Sequence, residues 1–177
     1  GRGSIDHLME IGWIKPGVRK SIPGKPTLWS TTELFLEHFS IESIANLPNK
    51  DELKANGFTI QSGVAQIPTA FIAEFSNGGP VIGILGEYDA LPGLMQTASP
   101  FKEVKQDVIA GHACGHHMFG AASAWAAVVI KEWLVKTKTK GTIRFYGTPA
   151  EEGGSGKVYM VRAGLFNDVD AVLHWHP

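Results

Sequence analysis

The sequence has little cysteine: Cys114 is the one thiol among 177 residues. A single thiol cannot form an intramolecular disulfide, so a disulfide-stapled secreted scaffold is excluded. An unpaired thiol is typical of a reducing compartment, and the expected location is the cytoplasm. The cysteine is therefore left for metal binding, catalysis or simple packing.

The sequence also lacks an excess of either charge, with 16 Lys and Arg against 17 Asp and Glu. Since nucleic-acid binding requires a basic surface, no nucleic-acid partner is expected. The longest apolar run, residues 121–130, is shorter than the roughly 20 residues of a membrane span, so no membrane partner is expected either. With 44% hydrophobic residues, the chain can build one substantial core.

Proline and glycine predict an irregular segment over residues 1–28, and an N-cap pattern predicts a helix over 30–45. From residue 51 the periodicity alternates between helix and strand. Strands are predicted at 58–65, 69–75, 80–86, 141–147 and 171–175, and helices at 51–56, 119–136 and 157–163. This order predicts an α/β fold with a mostly parallel or mixed sheet flanked by helices, and a ligand site at the carboxyl ends of the strands.

The segment from Gly111 to Gly120 places Cys114 among three histidines, just before the predicted long helix. The positive end of the helix dipole is expected to lower the pKa of the thiol and favour the thiolate, which is the form that binds metal. Cys114 and His116 cannot share a helical face, but in a loop around Gly115 they can converge on one ion. The alternative is a small packed cysteine beside hydrogen-bonded histidines.

Polar residues follow three of the predicted strands. Glu87 and Asp89 follow the buried strand that ends at Gly86, and Glu151 and Glu152 follow the strand that ends at Gly147. The last strand ends in a His-Trp-His-Pro sequence. Because the carboxyl ends of such strands meet at one edge of a sheet, these groups are expected to lie near the Cys114 cluster.

Two adjacent glutamates can divide the work of a hydrolytic site. Neighbouring side chains point apart, so one carboxylate can bind metal while the other transfers a proton from the attacking water to the leaving amine. Thiolate, imidazole and carboxylate together suit zinc or a manganese-like ion. The Gly-Gly-Ser-Gly-Lys sequence that ends at Lys157 is not a phosphate loop, because Glu151 stands where the first glycine is needed.

Four motifs occur in the order typical of one enzyme family. They are Gly-Glu-Tyr-Asp-Ala-Leu-Pro-Gly-Leu from Gly86, Gly-His-Ala-Cys-Gly-His from Gly111, Pro-Ala-Glu-Glu-Gly-Gly-Ser-Gly-Lys from Pro149, and Asp-Ala-Val-Leu-His-Trp-His-Pro from Asp170. Over residues 53–177 the chain resembles the aminoacylase/carboxypeptidase-type metallopeptidases. Within them it is most similar to the amidohydrolase branch of hippurate, auxin-conjugate and aminobenzoyl-glutamate hydrolases.

The resemblance implies a divalent-metal-dependent amidohydrolase with two zinc or manganese ions per site. It would cleave the amide bond between an aminobenzoyl or other acyl group and an amino acid, so its partner is a small acyl-amino acid or dipeptide-like substrate. By resemblance, Glu151 is the general base and acid, Asp89 orients the site, and the metal ligands are Cys114, His116, Glu152 and His176.

The histidine assignment follows the relatives, whose ligand comes after Asp-Ala by the interval that matches His176. His174 lies two residues earlier and could also reach a metal ion. Pro177 forces an extended exit that would fix the imidazole of His176 at the end of the strand. His174 is then expected to pack or to support the site.

The resemblance also implies parts beyond residue 177: a further histidine ligand, the second half of the sheet, and a lid or dimerisation domain. Residues 51–177 are thus expected to be the N-terminal portion of the catalytic domain, inactive by themselves and homo-oligomeric in the whole protein. Residues 1–50 lack the acidic, proline-containing helix start of the relatives, and His117 stands where relatives have Asp or Asn. A non-catalytic metal-binding subunit and a peptidase or deacetylase of the same family are the alternatives.

Overall fold

The computed structural model describes residues 6, 9–12, 14–19, 27–34, 50–97, 99–106 and 110–176. The chain divides into two compact units, Gly1–Leu47 and Pro48–Pro177, which we call the N-terminal and C-terminal units. The division falls close to the boundary predicted at residue 50.

The N-terminal unit contains two antiparallel strands, β1 (Ile14–Arg19) and β2 (Thr27–Thr31). The prediction of an irregular segment over residues 1–28 is therefore wrong for these strands. Pro16 is compatible with β1 because a proline in a sheet is tolerated on an edge strand, and both strands of a pair are edges. The helix predicted over 30–45 lies almost entirely outside the described residues.

The C-terminal unit alternates strands and helices as predicted. Its helices are α1 (Lys50–Ala55), α2 (His116–Thr137), α3 (Glu151–Gly154) and α4 (Gly156–Arg162). Its main strands are β3 (Thr59–Ser62), β4 (Phe71–Ser76), β5 (Val81–Glu87), β8 (Thr142–Thr148) and β9 (Ala171–Leu173). Two-residue strands β6 (Leu91–Pro92) and β7 (Ala110–Gly111) pair within the segment predicted to be a loop, and a short 3₁₀ turn over Val64–Gln66 shortens the predicted strand at 58–65.

The five main strands form one mixed sheet in the order β3-β4-β8-β5-β9. The pairs β3–β4 and β4–β8 are antiparallel, whereas β5 runs parallel to both β8 and β9. This confirms the predicted α/β fold. The parallel part brings the carboxyl ends of β5, β8 and β9 to the same edge.

Side chains of β8 alternate between two apolar layers. Ile143 and Phe145 pack with α2 on one face of the sheet, while Tyr146 packs with Met160 of α4 on the other. Strand residues two apart share a face, so the alternation follows directly from the sequence. Helices on both faces explain why β5 is almost wholly apolar.

Helix α2 approaches β5 closely at its first turns. A Cβ atom on Gly120 would lie 2.4 Å from the carbonyl oxygen of Glu87, and one on Gly86 would lie 3.2 Å from the Cα of Gly120. Side chains at either position would push the helix away from the strand. The two glycines therefore bring the start of α2 against the carboxyl end of β5.

By length and composition alone, α2 could cross a membrane, and it is the one such helix in the described part of the chain. It is longer than the apolar run of the sequence because His116 and Lys136 lie within it. The same composition is typical of a helix packed on a sheet, and Ala124, Ala127 and Val128 are buried in the core.

Candidate metal centre

The carboxyl ends of the parallel strands lie level with one another. Glu87 at the end of β5 pairs in register with Thr148 at the end of β8. Ile84 of β5 is opposite Leu173 of β9, so three residues further on Glu87 and His176 reach the same level. The strand ends therefore bring together groups from three separate parts of the sequence.

Cys114 lies at the start of α2, beside the segment that follows β9. Its Sγ is 3.3 Å from Nε2 of His176. Between Cys114 and the helix, Gly115 adopts a left-handed conformation with φ of 85°, which a glycine reaches without strain. This turn lets Cys114 and His116 approach one centre from a loop and from a helix, as the sequence predicts.

His116 is fully buried beneath Cys114. Its Nδ1 lies 3.0 Å from Asp89 Oδ1 and 3.1 Å from the carbonyl oxygen of Asp89. Because both are acceptors, Nδ1 carries the proton and Nε2 is left with its lone pair. That Nε2 faces two carboxylates, at 3.2 Å from Glu87 Oε2 and 3.9 Å from Glu152 Oε1.

Asp89 connects the histidine to the pair of glutamates. Its second oxygen, Oδ2, accepts hydrogen bonds from the backbone N–H groups of Glu151 and Glu152, at 2.9 and 3.3 Å. The residue before them, Ala150, has a φ of 58°, which is unfavourable for a residue with a Cβ atom. One carboxylate thus fixes the orientation of His116 and holds a strained turn that carries both glutamates.

Glu87 is 1% exposed and contacts three basic side chains besides His116. Its Oε1 accepts a hydrogen bond of 2.5 Å from Lys157 Nζ and lies 3.2 Å from His174 Nε2. Its Oε2 lies 3.9 Å from His176 Nε2, in addition to the contact with His116. Lys157 supplies the positive charge that a buried carboxylate needs.

The pKa of the Cys114 thiol is raised, not lowered as the helix dipole predicts. The largest cause is a hydrogen bond between the thiol and Glu152, followed by burial and then by the negative charges of Glu152, Glu151 and Glu87. Adjacent carboxylates disfavour the thiolate more strongly than the partial charge of a helix end favours it. A cation at the centre would reverse this balance.

His112 and His117 lie apart from this cluster. Their rings pack against each other with centroids 4.4 Å apart, and the pKa of His117 is lowered by burial and then by the charge of His112. Both residues are exposed. On the other side, Trp175 packs edge-on against Phe119 at 4.9 Å and donates a hydrogen bond to Ser123, which fastens the His174–His176 segment to α2.

The chemistry of these groups fits a divalent metal. The candidate ligand atoms of Cys114, His116 and His176 lie within 4.8 Å of one another, and so do those of Glu87, His116 and Glu151. Two buried atoms, Glu87 Oε2 and His116 Nε2, have no hydrogen-bond partner among the described residues. Such atoms are costly unless something binds them, and a cation between them would satisfy both.

All six residues predicted for the site lie in this cluster: Asp89, Cys114, His116, Glu151, Glu152 and His176. Their individual roles remain predictions. Glu87 and Lys157 were missed as site residues. A carboxylate at the last position of an otherwise apolar buried strand was the signal for Glu87, whereas nothing in the sequence links Lys157 to it.

The comparisons with known proteins agree with the geometry. The family model described as "Peptidase family M20/M25/M40" matches residues 83–177, which is more than half of the chain and includes all six predicted site residues. The chain belongs to peptidase family M20/M25/M40. The predicted resemblance to metallopeptidases is thereby confirmed.

Relatives in the M20 family include a p-aminobenzoyl-glutamate hydrolase component of Escherichia coli K12, named as one subunit of that enzyme, which is 48% identical over 85% of this chain and 31% of that protein. Hippurate hydrolase of Campylobacter jejuni is 32% identical over 71% of this chain and 32% of that protein. A Bacillus subtilis dinuclear metal-binding peptidase of the M20 family matches in structure with a TM-score of 0.58, at 33% identity, covering 70% of this chain and 34% of that chain. The chain thus spans about a third of the length of these relatives.

The first 50 residues match a different family model, described as "Segregation and condensation complex subunit ScpB". Segregation and condensation protein B of Clostridium tetani is 46% identical over 50 residues, covering 28% of this chain and 26% of that protein. This similarity gives a reason why residues 1–50 lack the helix start expected of M20 relatives.

Proposed function

We propose that the whole protein is a divalent-metal-dependent amidohydrolase of the M20 family. The observation that carries the proposal is the bridge made by Asp89, which contacts His116 with one oxygen and the Glu151–Glu152 turn with the other. A single residue thereby aligns a candidate metal ligand with a candidate proton carrier. Such alignment has little purpose in a protein that only stores a metal ion.

In this proposal the metal is held by Cys114, His116, Glu152 and His176, with zinc or manganese as the ion and two ions per site. The bound metal supplies a Lewis acid that lowers the pKa of water and polarises the substrate carbonyl. Asp89 holds the proton on Nδ1 of His116, so Nε2 presents its lone pair to the ion. Glu151 takes the proton from the attacking water and returns it to the leaving amine.

The substrate we propose is an N-acyl amino acid, and specifically an aminobenzoyl-glutamate amide. The 48% identity to the p-aminobenzoyl-glutamate hydrolase component of Escherichia coli supports this choice. Other relatives are named for hippurate, for N-acetylcysteine and for Xaa-Arg dipeptides, so a peptidase or deacetylase of the same family remains the second candidate.

We further propose a cytoplasmic homo-oligomer. The single thiol supports a reducing location. The word "subunit" in the name of the Escherichia coli relative indicates that this relative is part of an assembly. Size-exclusion chromatography with light scattering of the whole protein would measure its oligomeric state.

The proposed function is tested by metal content and by a substrate panel. The whole protein, loaded with zinc or manganese, is assayed against p-aminobenzoyl-glutamate, hippurate, N-acetylcysteine and an Xaa-Arg dipeptide. We expect the highest kcat/KM for p-aminobenzoyl-glutamate and loss of activity on treatment with a chelator. A protein that binds metal but hydrolyses none of the four would instead support the non-catalytic metal-binding role.

A further inference from the structure

Glu87 is the most deeply buried carboxylate of the cluster, and the roles proposed above do not use it. Its two oxygens have different surroundings. Oε1 is held by Lys157 and His174, whereas Oε2 has no hydrogen-bond partner in the described part of the chain. A buried carboxylate oxygen without a hydrogen bond is unfavourable by about 1–3 kcal/mol or more, so its orientation calls for a partner.

The atom that Oε2 faces is equally unsatisfied. His116 Nε2 lies 3.2 Å away and also has no hydrogen-bond partner among the described residues. The proton of this ring is on Nδ1, where Asp89 accepts it, so Nε2 presents a lone pair to a carboxylate oxygen that also offers only lone pairs. Two acceptors in contact repel each other unless a cation lies between them.

The spacing suits such a cation. Two atoms bound to one tetrahedral zinc ion at about 2.0–2.1 Å are roughly 3.3 Å apart. The observed 3.2 Å between Glu87 Oε2 and His116 Nε2 matches that value. A carboxylate oxygen of Glu151 completes a group whose ligand atoms all lie within 4.8 Å of one another.

We propose that Glu87 is an additional metal ligand, which shares the ion of His116 through Oε2 while Lys157 and His174 hold Oε1 in place. Lys157 fixes the rotamer of the carboxylate and balances its charge, so only one oxygen is available to the metal. His174 is then a positioning residue. The inference rests on the metal site of the proposed function and adds a ligand that the sequence pattern did not assign.

The test measures metal affinity and ligand geometry rather than turnover. Zinc affinity is measured by competition with a chromogenic chelator, and cobalt is used as a spectroscopic substitute, in the unaltered chain and in Glu87→Gln. We expect Glu87→Gln to lower zinc affinity by at least about 10–100-fold, since even residues that only support a ligand have effects of that size. At saturating cobalt, the d–d bands should change while the thiolate-to-cobalt band of Cys114 persists.

Two further variants extend the test. Lys157→Met leaves Glu87 in place but frees Oε1, and we expect a smaller loss of affinity than in Glu87→Gln. Glu132→Gln and Lys136→Met, which change exposed charges on α2, are the matched controls and should bind zinc as the unaltered chain does. If Glu87→Gln fails to fold by circular dichroism, Glu87→Asp retains the charge on a shorter side chain and should show the weakened affinity and altered d–d bands.

Unchanged zinc affinity in Glu87→Gln, or weaker affinity with d–d bands identical to those of the unaltered chain, would overturn the inference. In the second case Glu87 acts only through His116. Failure of the proposed function is distinguishable from both, because the unaltered chain would then bind neither zinc nor cobalt, or would bind them without the Cys114 band. That result overturns the additional ligand as well.

Discussion

Glu87 and His116 lie beneath the candidate metal centre with 2% and 0% of their side chains exposed, whereas Glu152 and His176 above it are each 38% exposed. We call the first pair the floor, and Cys114, Glu151, Glu152 and His176 the rim. Asp89, Lys157 and His174 hold the floor from outside the centre. Rim side chains mainly contact one another or the floor.

This difference indicates a division between what folding provides and what the ion must provide. Floor groups are fixed by packing and by charged partners, so they are positioned before metal arrives. Rim groups include a protonated thiol beside carboxylates, an arrangement that changes when a cation binds. Four changes test the two halves, in order of decreasing expected effect.

The largest effect is expected at the rim from Glu151→Gln. Loss of a general base typically lowers turnover by at least about 100-fold, while metal binding should stay nearly intact. Glu152→Gln should instead lower metal occupancy. Turnover and bound metal, measured in parallel on the whole protein, separate the two roles. Equal loss of metal in both variants would contradict this division of labour.

The next effect separates His176 from His174. His176→Ala removes a rim ligand and should lower zinc affinity by more than about 100-fold, beyond the range found for supporting residues. His174→Ala removes a contact to the floor carboxylate and should cost about 10-fold. Zinc competition on both variants measures this. Retained metal in His176→Ala with loss in His174→Ala would reverse the assignment.

A smaller effect is expected on the stability of the floor. In Gly120→Ala the new Cβ would meet the carbonyl oxygen of Glu87 at 2.4 Å, so α2 must shift away from β5. Overpacking of this kind typically costs about 1–3 kcal/mol of unfolding free energy. Urea denaturation measures the change. Gly79→Ala, where a Cβ meets nothing within 4 Å, is the control and should be nearly neutral.

The smallest effect concerns the thiol of the metal-free chain. Because Glu152 and burial raise the pKa of Cys114, the thiolate is scarce at neutral pH, and alkylation should increase with pH to a midpoint above that of free cysteine. Glu152→Gln removes the largest cause and should move the midpoint to lower pH. Iodoacetamide labelling across a pH series measures it, with Glu132→Gln as control. An unchanged midpoint would remove Glu152 as the cause.

Much of the C-terminal unit could be predicted from the sequence. The apolar stretch from Val81 to Gly86 and the Ala-rich stretch after Gly120 carry strong periodic signals, and both form the predicted elements. The pair β1–β2 was missed because proline and glycine within it resemble a loop. The start of α2 at His116 was also missed, since two histidines and a glycine are weak helix formers that tertiary contacts override.

The sequence by itself determined which chemical groups stand at the strand ends, because hydrophobic periodicity places each polar motif just after a strand. Only the tertiary structure decided how those groups pair. Lys157 meets Glu87 across 70 residues of sequence, and a carboxylate contact reverses the expected shift of the Cys114 pKa. These outcomes depend on parallel register and on burial, which set distances of a few ångströms that no local pattern encodes.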